Sequence, residues 1–388
     1  MAEINIDANL IKSSGSLKQE SERMVELHNG CICCTLREDL LEGLAGLASS
    51  QQYDYCIIES SGISEPMPVA ETFTFTDEET GVTLGDIATL DTLVTVVDGH
   101  AFTHELESVE TLRTRNWHAD EEDERTISHL LCDQVEFANV VVLNKTDLMT
   151  SKEQKSIHDL ISKMNPSARV VEASYGKVPC KAVLSTGAFE LSEAEKHEMW
   201  LKEARVGEHK PESIEYGVGS FVFKSKRPFH PRRLWDALEA IESKSMPFES
   251  VVRAKGTLWL ATRQKQSGIV SVAGRLANVS PGPPWWAGIS KSQWPEDIKD
   301  EIKPLWDDEH GDRHQSFVVI GTKMDKVKVE MALTECLLTD EEMKLGLEVW
   351  AQLEDPFIEA GWNRSSEEDD HDQESESHSH SHKGHAHH

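Results

Sequence analysis

The sequence predicts an α/β fold, with a mostly parallel sheet and helices on both faces, followed by a smaller α+β domain. In the first half, short β-branched runs alternate with segments whose apolar residues recur at helical spacing, as in parallel strands joined by helices. These candidate strands are 55–58, 94–97 and 140–143. In the second half, turn-rich sequence separates the strands and predicts the α+β arrangement. Those strands are 219–223, 256–261 and 317–320.

Changes in composition divide the chain into four regions. We predict a first domain over residues 1–190, a charged linker over 191–215, a C-terminal domain over 216–355 and a tail over 356–388. The tail consists mainly of Ser, Glu, Asp and His, so it cannot bury enough apolar surface to fold and is predicted to be disordered. Thr339 followed by Glu342 matches a capping box, which predicts a last helix over about 340–353.

The charge of the chain limits its partners. Its 388 residues contain 69 acidic and 39 basic side chains, a formal net charge of −30, which repels phosphate backbones and anionic lipids. We therefore expect no nucleic-acid partner and no membrane partner, and no apolar run is long enough for a membrane span. The seven cysteines are too few and too unevenly spaced for a disulfide scaffold, which favours a reducing compartment and a cytoplasmic location. Targeting to an organelle stays open.

Three of the cysteines lie close together in the segment Gly30-Cys31-Ile32-Cys33-Cys34. Thiolates favour Zn(II) or Cu(I), and a tight loop can direct three sulfurs at one ion, which still needs a fourth ligand to become tetrahedral. The segment therefore predicts a metal site. Two alternatives stay open, namely a set of small buried apolar residues and a redox pair.

A second motif, Asn144-Lys145-Thr146-Asp147, directly follows the apolar run 138–143. Open α/β sheets bind ligands at the carboxyl ends of their parallel strands. There the Asp147 carboxylate can accept two N–H bonds from guanine that adenine cannot supply, while Asn144 ties neighbouring loops and the Lys145 stem covers the base. The position after a strand favours guanine recognition over a plain turn.

A third segment, Glu59-Ser60-Ser61-Gly62, follows the candidate strand 55–58. An acidic residue that closes a buried strand can hold Mg(II) or its waters, and the following glycine can offer its N–H to a γ-phosphate. By itself, such an acid is more often a solvated cap. Asp98, which ends another candidate strand, is left as a loop residue with no assigned role.

The tail offers a second set of metal ligands. Its histidines lie near the acidic stretch between Glu367 and Glu376, a combination suited to weak, exchangeable capture of Zn(II) or Ni(II). The histidines are His371, His378, His380, His382, His385, His387 and His388. An ordinary solvated tail and an engineered tag are the alternatives, and the irregular spacing argues against a tag.

Taken in order, these motifs resemble those of the cobalamin-synthesis-like (CobW-type, G3E) P-loop GTPases, a family of zinc and metal chaperones. In the first half the resemblance rests on the segments 1–7, 30–34, 59–62 and 144–147. In the second half it rests on 226–233 and 310–315. The resemblance implies a P-loop GTPase-like sheet followed by a CobW-like C-terminal domain.

The resemblance also implies a function. It is that of a GTPase which binds zinc and couples GTP hydrolysis to transfer of the metal to client metalloproteins, with Mg(II) accompanying GTP. The catalytic elements would be Glu59 and Gly62, the nucleotide-binding residues Asn144, Lys145 and Asp147, and the metal ligands Cys31, Cys33, Cys34 and Glu3. Passive zinc buffering and insertion of cobalt or another metal stay open, as does the oligomeric state, a homo-oligomer included.

One motif of that family has no counterpart in the sequence. The family opens with G-x-x-x-x-G-K-[ST], a loop whose N–H groups and Lys hold phosphates, and the 388 residues contain no such segment. Met1 coincides with the Met of an internal family segment, so we expect roughly 30 to 50 residues to be missing before it, enough for a strand, the loop and part of a helix. Whether this chain alone hydrolyses GTP stays open for the same reason.

Overall fold

The computed structural model describes residues 83–115, 125–190, 217–295 and 306–362, with short pieces between residues 43 and 73 and at 302–303. Its strands are β1 Val94–Asp98, β2 Val140–Asn144, β3 Arg169–Glu172, β4 Val218–Ser225, β5 Val251–Leu258, β6 Gln266–Ala273, β7 Leu276–Pro284 and β8 Gln315–Thr322. Its helices are α1 Leu84–Ile87, α2 Phe102–Leu106, α3 Ile127–Glu136, α4 Ser151–Met164, α5 Pro231–Glu242, α6 Lys326–Glu335, α7 Asp340–Met343 and α8 Leu347–Trp350.

The first sheet is parallel, with the strand order β1-β2-β3. Its middle strand is buried from Val140 to Leu143, as expected for an apolar run paired on both sides. The register places Asp98 opposite Asn144 at the carboxyl ends of β1 and β2. Because the strands are parallel, the residues that follow β1, β2 and β3 meet at one edge of this sheet.

Helix α4 connects β2 to β3 and begins with a capping box. The Thr150 side chain accepts a hydrogen bond from the Glu153 N–H, and the Glu153 side chain accepts one from the Thr150 N–H. The buried residues recur at spacings of three and four along one face. They are Ile157, Leu160, Ile161 and Met164. This apolar face packs into a core shared with β1 and β2 and holds α4 against the first sheet.

The second sheet is antiparallel, with the strand order β4-β8-β5-β6-β7. Along β8, Phe317 and Val319 belong to a core shared with α5 and α6, whereas Val318 and Ile320 belong to a core shared with α3 and α4. Successive side chains of a strand point to opposite faces, so this sheet is covered on both sides. One of its two faces is therefore packed against the helices of the first sheet.

The predicted fold class, an α/β part with a parallel sheet and a smaller α+β part, is confirmed. The candidate strands 94–97, 140–143, 219–223 and 317–320 all lie within strands of the structure. The predicted residues of the linker and most of those of the tail fall outside the described residues, so the four-region division stays a prediction. Within the part of the chain that the structure describes, no helix is long and apolar enough to cross a bilayer.

Three details of the prediction are wrong. Residues 55–58 are not a strand, and Tyr55, Ile57 and Ile58 are exposed, because β-branched sequence becomes a strand only where a neighbouring strand pairs with it. The candidate 256–261 begins earlier and ends at Leu258. The last helix is two short helices, α7 and α8, because Gly346 has a φ of 79° in the left-handed region, although the capping box of Thr339 and Glu342 is present.

Candidate functional site

The backbone at the end of β2 is held by the loops on either side of it. The Asn144 carbonyl accepts a hydrogen bond from the Gly99 N–H at 3.0 Å, and the Thr146 N–H donates to the Ala173 carbonyl at 3.1 Å. Between these contacts Lys145 has a φ of 61°, a left-handed conformation that a residue other than glycine rarely adopts. The strained turn is therefore maintained by hydrogen bonds from the ends of β1 and β3.

Lys145 forms an ion pair with the residue that ends β1. Its Nζ lies 2.7 Å from the Asp98 Oδ2, and Asp98 Oδ1 accepts the N–H groups of His100 and Ala101. Burial alone would raise the pKa of Asp98, but the Lys145 ammonium and these N–H groups outweigh it, and the pKa lies below its ordinary value. From the sequence alone no role was assigned to Asp98, although its position at a strand end was the available signal.

Gly99 allows the β1 loop to approach the β2 loop this closely. A Cβ atom at this position would lie 2.6 Å from the Met149 Sδ, 2.8 Å from the Leu143 Cδ1 and 3.1 Å from the Asn144 carbonyl oxygen. A side chain here would displace the ends of the Met149 and Leu143 side chains and press on the Asn144 carbonyl, so glycine permits the close approach of the two loops.

Asp147 lies in a single 3₁₀ turn, Thr146–Leu148, between β2 and α4. Gln154 of α4 fixes the backbone of this turn, because its Nε2 donates to the Thr146 carbonyl at 2.7 Å and to the Met149 carbonyl at 3.2 Å. The Asp147 side chain is exposed, and no hydrogen bond to it occurs among the described residues. A fixed backbone thus presents a carboxylate that is free to accept two N–H donors of a ligand.

The loop after β3 completes this edge of the sheet. The Asn144 Oδ1 accepts a hydrogen bond from the Gly176 N–H at 3.0 Å, and the Thr146 Oγ1 lies 2.9 Å from the Ser174 Oγ. Tyr175 between them has a φ of 56° and a side chain that is 80% exposed. The sequence prediction missed this loop, which could have been found as the segment following the short β-branched run Arg169–Glu172.

The segment with Glu59 and Gly62 makes no direct hydrogen bond to the three motif residues at the edge of the first sheet, among the residues that the structure describes. Both residues are exposed, and within the described part of the chain no hydrogen bond joins either of them to Asn144, Lys145 or Asp147. Instead, the Gly62 carbonyl accepts a hydrogen bond from the Gln134 Nε2 of α3 at 2.9 Å. The structure therefore brings Asn144, Lys145 and Asp147 together and places Glu59 and Gly62 on a separate loop held by α3.

The predicted metal ligands lie outside the described residues. They are Cys31, Cys33, Cys34 and Glu3, together with the tail histidines His371, His378, His380, His382, His385, His387 and His388. Within the described ranges there is no cluster of three or more His, Cys, Asp or Glu side chains that could hold a metal ion. The other cysteines are single: Cys132 and Cys336 are buried, which raises the pKa of each thiol to about 12, and Cys56 and Cys180 are exposed.

Comparisons with known proteins match both halves of the chain. Residues 1–172 match the CobW/HypB/UreG nucleotide-binding domain, and residues 218–337 match the cobalamin synthesis protein cobW C-terminal domain. A protein of Dictyostelium discoideum named zinc-regulated GTPase metalloprotein activator 1 is 42% identical over 365 residues, which cover 92% of this chain and 76% of that protein. The zinc chaperone CobW of a Sinorhizobium species is 31% identical over 192 residues, 48% of this chain and 52% of that protein.

Among solved structures, the Zn(II)-bound YjiA GTPase from E. coli is 20% identical and covers 78% of each chain, with a TM-score of 0.32. A superposition this loose supports no conclusion about the site. The sequence matches establish the family by themselves, because they extend over both sheets and include a relative that is 42% identical along most of the chain. The chain belongs to the CobW/HypB/UreG family of nucleotide-binding proteins and carries the CobW C-terminal domain.

Proposed function

We propose that this protein is a GTP-dependent zinc chaperone that reads guanine through Asn144, Lys145 and Asp147 and transfers zinc to client metalloproteins. The names of its relatives, zinc-regulated GTPase metalloprotein activator and zinc chaperone, support the same class of function. One observation in the structure carries the proposal. It is the exposed Asp147 carboxylate, which stands on a turn whose backbone is fixed by the ends of all three parallel strands.

Guanine recognition follows from the donors and acceptors at this edge. Guanine presents two neighbouring N–H donors, which one carboxylate can accept together, whereas adenine presents no such pair. Asn144 is already bonded to Gly176, so its role is to hold the β3 loop beside the base. Lys145 is drawn toward Asp98, which extends its apolar stem along the edge where the face of a base would lie.

The phosphate and magnesium side of the site would use Glu59 and Gly62. Among the described residues the Glu59 carboxylate makes no hydrogen bond, so it is available to Mg(II), a hard cation that prefers oxygen ligands. A Cβ atom at Gly62 would meet nothing within 4 Å, so the backbone there is open to a γ-phosphate. Together these residues would provide the part of the site that distinguishes GTP from GDP.

The zinc side would use Cys31, Cys33 and Cys34, with Glu3 as a fourth ligand. Three thiolates and a carboxylate satisfy the tetrahedral coordination that Zn(II) prefers. The tail histidines would collect zinc weakly before it reaches this site. Zinc is the cargo in this scheme, and the nucleotide state sets how tightly it is held.

The test is the zinc affinity in different nucleotide states, measured by competition with a chelator. It is carried out on the 388-residue chain and on a form extended at its N-terminus by a phosphate-binding loop, each with GTP and Mg(II), with GDP, and without nucleotide. We expect the affinity of the extended form to change at least tenfold between GTP and GDP, a coupling of about 1.4 kcal/mol.

Two variants assign the effect to the proposed residues. Replacing Cys31, Cys33 and Cys34 together by Ser is expected to abolish tight zinc binding, whereas ending the chain after Trp362 removes the tail histidines and is expected to leave it intact. Equal zinc affinity of the extended form with GTP, with GDP and without nucleotide would instead support passive zinc buffering and contradict a GTP-driven chaperone.

A further inference from the structure

Helix α3 carries polar contacts on two opposite sides. Gln134 and Glu136 are two residues apart, so their side chains diverge by about 200° around the helix axis. Gln134 is directed at the loop 62–64, and Glu136 is directed at the C-terminal sheet. The helix therefore lies between the loop with the proposed γ-phosphate contact and the second domain.

The loop is bound through three successive carbonyl groups. The Gln134 Nε2 donates to the carbonyls of Gly62 at 2.9 Å and Ser64 at 3.1 Å. The carbonyl of Ile63 accepts from the Nη1 of Arg125, just before α3, at 3.2 Å. The Ile63 side chain is buried against Leu130 and its neighbours. The loop and α3 are thus expected to move together.

On its other side α3 is fixed to β5. The Glu136 carboxylate accepts hydrogen bonds from the Arg253 Nε at 2.6 Å, from the Arg253 Nη2 at 2.9 Å and from the Lys255 Nζ at 3.0 Å. Glu136 and Arg253 are almost completely buried, with 1% and 2% of their side chains exposed. Burial alone would raise the pKa of Glu136, but the two cations outweigh it and lower the pKa. Both groups therefore stay charged, and separating them would leave two buried charges unpaired.

The packing around α3 leaves room for a small displacement. A cavity of about 60 Å³ that is partly open to solvent lies between β1, α2 and α3, lined on the helix by Leu131, Gln134 and Val135. Close-packed interfaces resist sliding, whereas a cavity at the contact allows a helix to shift without a clash. The cavity lies on the β1 side of α3, the side of the helix that carries Gln134.

We infer that α3 couples the loop 62–64 to the C-terminal domain, with Gln134 as a positioning residue for Gly62 and Glu136 as the contact to the sheet. A change in the loop moves α3, and the Glu136–Arg253 pair passes the displacement to β5. The inference rests on the proposed function only in taking a γ-phosphate as the signal that moves the loop.

The experiment tests the coupling in both directions on the 388-residue chain, without nucleotide or zinc. Hydrogen exchange at residues 63–64 is measured in Arg253→Met, a change in the C-terminal sheet. Hydrogen exchange in β5, the strand that carries Arg253, is measured in Gln134→Met, which keeps the size of Gln134 but loses both hydrogen bonds. Lys152→Ala, an exposed change on α4, is the matched control.

We expect each variant to accelerate the distant process at least threefold, while Lys152→Ala leaves both rates as in the parent chain. Hydrogen exchange in α5, on the far face of the C-terminal sheet, reports general loosening and should not change. Should Arg253→Met fail to fold, Lys255→Met removes one hydrogen bond from Glu136 and carries the same expectation.

Acceleration confined to the domain that carries the substitution, or an equal acceleration in α5, would overturn the inference. The outcome is independent of the zinc experiment. Coupling through α3 without nucleotide-dependent zinc affinity would support the inference and contradict the proposed chaperone function. Nucleotide-dependent zinc affinity without coupling through α3 would support the proposed function and contradict the inference.

Discussion

The buried pair of Glu136 and Arg253 is expected to contribute strongly to the stability of the domain interface. In Glu136→Met, Arg253, which is 2% exposed in the parent chain, loses two hydrogen bonds to a carboxylate and with them the counter-ion that it contacts directly. Removing one partner of a buried ion pair costs about 3–5 kcal/mol. That is a large fraction of the roughly 5–15 kcal/mol by which folded domains are stable.

The reverse substitution is expected to cost less. In Arg253→Met, Glu136 keeps the Lys255 Nζ at 3.0 Å, so the buried carboxylate still has one cation. We expect a loss of about 2–3 kcal/mol. In the double variant neither buried charge is left alone, and Lys255 still has Asp133 at 3.9 Å, so the loss should be only about 1–3 kcal/mol. The summed single losses should therefore exceed the loss of the double variant by roughly 4–5 kcal/mol.

Urea unfolding of the three variants and the parent chain measures these differences. Most of the ten tryptophans lie in the C-terminal half, so their fluorescence follows that domain, and far-UV circular dichroism follows the whole chain. If the double variant lost the sum of the two single losses within about 0.5 kcal/mol, the two side chains would be energetically independent and the reasoning would be refuted.

Three further predictions concern single residues. Asp147→Asn replaces an acceptor of two N–H groups by a side chain that offers one donor and one acceptor to the base. The affinity for guanine nucleotides should therefore fall by about 3 kcal/mol, more than a hundredfold, and xanthine nucleotides should bind better. Unchanged GDP affinity in equilibrium titration would contradict this prediction. Gly99→Ala should cost about 1–3 kcal/mol in urea unfolding, because its Cβ would displace the Met149 and Leu143 side chains and crowd the Asn144 carbonyl. A neutral result would mean that these side chains move aside without loss of packing. Burial and the nearby Arg253 lower the pKa of His129 from 6.5 to about 4, so below pH 6.5 the unfolded chain takes up a proton that the folded chain refuses. The free energy of unfolding should therefore fall by roughly 3 kcal/mol between pH 6.5 and pH 4. Thermal unfolding at several pH values measures this loss, and His129→Gln should not show it.

The fold could be predicted where sequence pattern and burial coincide. The apolar run 140–143 became the buried middle strand of a parallel sheet because strands on both sides pair with it. The run 55–58 has a similar composition, yet it is exposed and is not a strand. Composition alone cannot distinguish the two, since a strand needs neighbours that are far away in sequence.

The candidate site could be predicted in part for a related reason. Asn144, Lys145 and Asp147 are consecutive or nearly so, and their position after a strand was enough to propose guanine recognition. Asp98 lies 47 residues before Lys145, and Gly176 of the 174–176 loop lies 32 residues after Asn144. Only the parallel register brings these residues to the motif. Neither segment contains a motif that would have drawn attention in isolation.

By itself, the sequence determined the order of the motifs, the α/β class and the family, because these depend on local pattern and on residues adjacent in the chain. Only the tertiary structure decided that one helix holds the Gly62 loop on one side and the C-terminal sheet on the other. Glu136 and Arg253 are 117 residues apart, and each alone resembles an ordinary surface charge. Their pairing becomes visible only when the packing of two apolar faces removes water from both, because burial is what makes a pair of opposite charges inseparable.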